Sequence, residues 1–359
     1  MRRAIGAKNK RRQNMDSFYG IMLFALAGFV SAAFYTPLKY VKWKWEVMWI
    51  FWSLAALIIC PTLIASFAIP SCWQAIVEVE FETIIWTFVY GALWGVGGLT
   101  FGLSMRYLGI GLGTAVALGF CALVGTLIPP IKSGKILEIA SDRAGLLVLI
   151  GVFICALGIA INGVAGMMKE RDAKAAGADG GSSEFSLAKG FAVAIVAGFL
   201  SACMSLSMDA GKPIAEKAKS LATIDPAQAE LFKNSAILII TLVGGFATNF
   251  VWCLFLSFKN KSFADAKAAG AGRGIVYMFL CALGGLLWYC QFFLYGMGQT
   301  KLSEQYAFAS WAILMAFVIV FAGVIGLLIG EWKGSSKLTK AVLWLGILVL
   351  AASTFVMSI

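Results

Sequence analysis

"FYGIMLFALAGFVSAAFYTP", residues Phe18 to Pro37, runs without a single charge. A helix of that length rises about 30 Å, the thickness of a bilayer's hydrocarbon core. The run is preceded by Arg2, Arg3, Lys8, Lys10, Arg11 and Arg12. A basic flank of this kind also opens a secretory leader, but this run is longer than a leader's apolar region and lacks a small-residue cleavage pattern. It reads as a membrane span.

The same reading extends along the chain. Of 359 residues, 60% are hydrophobic and only 13% charged, with a mean hydropathy of +0.87, whereas an average soluble domain is about a quarter charged. Apolar runs bounded by charge, proline or polar clusters fall at roughly 18–38, 47–68, 83–104, 110–131, 145–166, 188–208, 231–257, 274–298, 304–329 and 340–358. Each is long enough to cross a membrane as a helix, so an all-α integral membrane fold with ten transmembrane helices is expected.

The net charge of +11 comes largely from basic residues at the ends of these runs, as in membrane-flanking segments, and implies no nucleic-acid partner. The eight cysteines are scattered through apolar segments without a CxxC pair and read as small packing residues. No histidine is present, which removes Ser-His triads, histidine zinc sites and imidazole proton relays. An enzyme would need a nucleophile, a base and a metal or oxyanion site, and none is visible. No metal or cofactor is expected.

"KERDAKAAGADGGSSEF", from Lys169, is a charged, Gly- and Ser-rich stretch at the midpoint and reads as a solvated linker. "AGFVSA" at Ala27 to Ala32 returns as "AGFLSA" at Ala197 to Ala202, in the first span of each half. The organisation expected is a basic N-terminal segment (1–17), a five-helix repeat (18–168), a linker (169–187) and a second five-helix repeat (188–359). An odd number of spans per half turns the halves over relative to each other, as in many secondary transporters. The basic N-terminus favours cytoplasmic termini, although Lys39, Lys42, Lys44, Lys259 and Lys261 then fall on the opposite side.

Polar residues inside spans narrow the function. Gly28, Ser31 and Tyr35 share a helix face, and Gly198, Ser201 and Ser205 repeat that spacing. Such stripes serve close helix packing or line a site between repeats. In the eighth span Trp288, Gln291 and Tyr295 also fall at i, i+3, i+7. A primary amide in hydrocarbon costs several kcal/mol unless it is hydrogen-bonded, so Gln291 faces inward. Aromatic faces beside an amide suit a sugar, which offers a C–H face to stack on and hydroxyls to bond. Gln305, Tyr306, Ser310 and Trp311 at the start of the ninth span, and Trp94 in the third, extend this candidate set.

Ionisable residues near the spans are few, and most lie at span ends, where they also anchor helices at the interface. Without histidine, a coupled proton must ride on a carboxylate. Glu46 and then Asp209 are the expected carriers, with Lys39, Arg106 and Lys212 as cationic or ion-pair partners.

Five stretches then carry a resemblance: "FYTPLKYVKWKWEVMW" from Phe34, "GALWGVGGLTFGLSMRYLG" from Gly91, "GTLIPPI" from Gly125, "GGLLWYCQFFLYGMG" from Gly284 and "QYAFASW" from Gln305. Through them the chain resembles the L-rhamnose-proton symporter family of the drug/metabolite transporter superfamily. The resemblance implies a bacterial inner-membrane carrier of ten helices in two inverted repeats that imports a deoxy-hexose, L-rhamnose first, with protons. An exporter of drug-like or amino-acid metabolites on the same fold, or a symporter for another sugar or ion, stands as the alternative.

Overall fold

The computed structural model describes residues 2–108, 110–177, 186–268, 270–302 and 307–358. Among them the regular structure is helical, without strands. Ten helical stretches are long and apolar enough to cross a membrane: Met15–Leu38, Trp45–Ala68, Phe81–Met105, Leu112–Lys132, Arg143–Ala175, Ala188–Ser220, Pro226–Lys259, Gly272–Gln299, Ser310–Leu328 and Lys337–Met357. They coincide with the ten apolar runs and are numbered first to tenth below.

Three features lie outside the hydropathy pattern. The helix containing the first span begins at Arg2. The second span contains a π-helical turn, Ala55–Ile59, with the Cys60 N–H reaching back to the Ala55 carbonyl. Pro61 follows directly; it brings a bulky ring and no N–H, and a wider turn beside it relieves the crowding. Short helices also occur between spans, at Cys72–Glu78 and Ser262–Ala268, and as separate segments at the end of the sixth stretch, Lys212–Ser220, and the start of the seventh, Pro226–Phe232. Lys217 bonds Glu78 at 2.7 Å, Lys219 bonds Glu230 at 2.5 Å, and Lys233 reaches both Glu216 and Glu230. The hydrogen bonds from Lys217 and then Gln74 hold the Glu78 carboxyl below its usual range.

The chain forms two compact units, one of Met1–Phe29, Thr100–Phe199 and Leu294–Ile359, the other of Val30–Leu99 and Leu200–Phe293. This partition cuts within the first, third, sixth and eighth spans and is distinct from the two sequence halves. In the first unit the fifth and tenth helices form the most extensive packing, the fourth lies on the fifth and the ninth on the tenth. Gly28 meets Phe317 and Val318 of the ninth helix so closely that a Cβ would overlap them, and Gly198 meets Ala117 and Phe120 of the fourth in the same way. In the second unit the second helix packs along the seventh. There Gly97 of the third helix touches Leu200 and Ser201 of the sixth, Gly244 of the seventh touches Phe88 of the third, and Gly284 and Gly285 of the eighth rest on Phe34 and Ala55.

Candidate functional site

Trp288 and Gln291, one helical turn apart, are both buried in the second unit. The Trp288 ring is tilted against Trp94, with centroids 5.6 Å apart, and meets Phe292 at 4.8 Å and Trp52 edge-on at 5.3 Å. Trp94 seats over Gly245, where a Cβ would strike its ring. Trp52 stacks on Trp49 at 4.2 Å, and Trp49 on Trp45 at 5.3 Å. The file is anchored by Trp49, whose indole N–H donates to the Asn249 side-chain oxygen at 3.0 Å, while the Asn249 amide donates to the Gly245 carbonyl at 2.9 Å. Three helices therefore contribute rings to one aromatic wall, and the seventh supports it through Asn249 and Gly245.

Gln291 is only 4% exposed, yet no described residue hydrogen-bonds its amide. The Trp52 indole N–H and the Tyr289 hydroxyl are buried with no partner among the described residues. Leaving a buried donor unpaired costs about 1–3 kcal/mol. Unpaired donors beside stacked rings are what a polyhydroxylated ring uses, since its hydroxyls accept while its C–H face packs.

Tyr295 and Trp311 lie in the first unit and are satisfied by the protein itself. The Tyr295 hydroxyl pairs with Ser310 at 3.1 Å and accepts from the Gln299 amide at 2.9 Å. Trp311 is buried and sits edge-on to Tyr295.

The two small-residue stripes divide by role. Gly28 and Gly198 are packing positions, Ser31 and Ser205 are buried, and Tyr35 is 42% exposed with its ring edge on Phe34. Glu46 is the one carboxylate buried among the described residues. It accepts from the Asn260 amide at 3.0 Å and from the Ser262 hydroxyl, and Lys44 donates to the Asn260 carbonyl. Asp209 bonds Lys212 at 2.5 Å with the lysine largely exposed, and Lys39 is exposed at the end of the first span. Gln305, Tyr306 and the side chain of Arg106 lie outside the described residues.

Trp49, Trp52 and Asn249 join the candidate site from structure alone. Trp45, Trp49 and Trp52 stand at i, i+4, i+7, a stripe that could have been found, although tryptophan near a span end also reads as an interfacial belt. Asn249 carries no such signal.

Residues 14–359 match the family described as L-rhamnose-proton symport protein (RhaT). L-rhamnose-proton symporters of Yersinia pestis (strain Pestoides F) and Yersinia pseudotuberculosis (serotype O:3, strain YPIII) are each 37% identical over 333 residues, covering 92% of this chain and 94% of theirs.

Proposed function

This chain belongs to the L-rhamnose-proton symport family, and from that premise we propose that it is a secondary active carrier importing L-rhamnose with protons across a bacterial inner membrane. The observation that carries the site is Gln291, a buried residue whose amide has no hydrogen-bond partner among the described residues, one turn from the Trp288–Trp94 pair. The apolar face of the sugar stacks on these rings, and the amide both donates to and accepts from its hydroxyls.

The ten helices are read as two inverted repeats of five. What supports this is that contacts within the units come in exchanged pairs. The first helix meets the ninth as the sixth meets the fourth, and the third meets the sixth as the eighth meets the first. The second meets the eighth as the seventh meets the third, and the fourth meets the fifth as the ninth meets the tenth. Alternating access follows from rocking of one repeat against the other. An even number of spans puts both termini on one side, taken as cytoplasmic from the basic N-terminus.

The test is uptake of radiolabelled L-rhamnose by the protein reconstituted in proteoliposomes with an alkaline interior. Accumulation above the external concentration, abolished by a protonophore, is expected; absence of uptake overturns the reading. Gln291→Leu is expected to raise the half-saturation concentration about tenfold, the effect of one or two lost hydrogen bonds.

A further inference from the structure

The aromatic wall of the candidate site continues outward from Trp288 through Trp52 and Trp49 to Trp45. Trp45 is 40% exposed, Trp49 half-buried and Trp52 3% exposed, so the file descends from the surface into the interior along one face of the second span. Its inner end, Trp52, meets Trp288, the residue one turn from Gln291. Ring-to-ring contact is continuous over this distance.

Two further observations separate this file from ordinary packing. The Trp52 indole N–H is buried without an acceptor among the described residues, although Trp49, one turn away, has its N–H satisfied by Asn249. A buried donor with no partner is costly, and tryptophan is usually placed where its N–H finds one. The π turn Ala55–Ile59 begins three residues after Trp52 and is followed by Pro61. Single π turns re-aim a helix and recur at functional sites, and this one separates the tryptophan-bearing part of the span from the rest.

We infer that Trp45, Trp49 and Trp52 form a sugar-conducting path leading to Gln291, and that the Trp52 indole N–H donates to a sugar hydroxyl at the inner end of that path. The inference rests on the sugar-carrier reading above and adds residues and a role to it. A pyranose moves along such a file by sliding its C–H face from ring to ring, because stacking is tolerant of position in a way that directed hydrogen bonds are not. At Trp52 it meets a donor with no partner among the described residues, and beyond Trp288 it reaches the Gln291 amide.

The experiment compares the parent, Trp52→Phe and Trp45→Ala in L-rhamnose uptake by proteoliposomes, with thermal unfolding of each purified protein measured without sugar. Phenylalanine keeps a ring in the file while removing the unpaired N–H together with part of the indole's ring surface. Trp52→Phe is expected to stay folded, with an unfolding temperature at or modestly below the parent's because the smaller ring gives up packing while relieving a buried unpaired donor, and its half-saturation concentration for L-rhamnose rises about tenfold, as one lost hydrogen bond requires. Trp45→Ala, at the exposed end, is expected to unfold as the parent does and to lower uptake at limiting sugar severalfold; it decides the matter should Trp52→Phe not fold. A parent that carries L-rhamnose, with both folded variants matching it in half-saturation and in uptake at limiting sugar, overturns the path alone. A parent that carries none overturns the sugar-carrier reading and the path with it.

Discussion

Trp311 donates its indole N–H to the backbone carbonyl of Cys121 at 3.2 Å, tying the ninth helix to the fourth inside the first unit. The same group in Trp52 has no acceptor among the described residues. Two buried tryptophans of one chain thus differ in what their N–H groups are free to do. Trp311→Phe is expected to lower unfolding stability by at least about 1 kcal/mol, the net value of one hydrogen bond, with the lost ring volume adding to it. Its half-saturation concentration for L-rhamnose should stay within about twofold of the parent's, since the lost donor was already committed to the fold. A tenfold rise in half-saturation would place Trp311 against the sugar instead.

The echoed glycines make a second, independent expectation. A Cβ on Gly28 would overlap the backbone and Cβ of Phe317, and one on Gly198 would overlap the Ala117 carbonyl and the Phe120 Cβ. Neither neighbour is a flexible side-chain tip. Gly28→Ala and Gly198→Ala should therefore each destabilise the protein by about 1–3 kcal/mol, the usual cost of overpacking. Gly98→Ala and Gly102→Ala, where nothing lies within 4 Å of the added carbon, should be neutral or slightly stabilising. Thermal unfolding of the four purified variants measures this, and equal behaviour across them would refute the close-approach role of the echo.

Legibility followed the size of the physical signal. Ten helices were readable because about twenty uncharged residues in a row have few other uses. Gln291 was readable because a lone amide among apolar residues stands out and must be accounted for. The π turn was not, because Ala55–Ile59 is uniformly apolar and neither hydropathy nor helical period distinguishes a turn of one extra residue. The partners of Tyr295 were only partly visible: Gln299 is one turn along the same helix, but Ser310 arrives from the next. The Lys217–Glu78 pair joins residues far apart in sequence, and such pairings follow from packing, which composition does not encode.

The last expectation concerns the proton. A symporter without histidine has carboxylates as its titrating candidates, and Glu46 is the one carboxylate buried among the described residues. As an anion it accepts from both Asn260 and Ser262, which holds the start of the second span to the segment following the seventh. Protonation removes the charge that strengthens both bonds, so that segment is expected to loosen when a proton binds, and the second span that carries the tryptophan file to lose a tether at its Trp45 end. Asp209 is the second candidate, but its partner Lys212 is largely solvent-exposed, where an ion pair contributes little. Glu46→Gln is therefore expected to abolish uphill uptake driven by a proton gradient while sparing L-rhamnose counterflow, which needs no net proton movement. Asp209→Asn should retain both. Should Glu46→Gln concentrate the sugar as the parent does while Asp209→Asn fails to, the carrier is Asp209; should both concentrate it, coupling through either carboxylate is refuted.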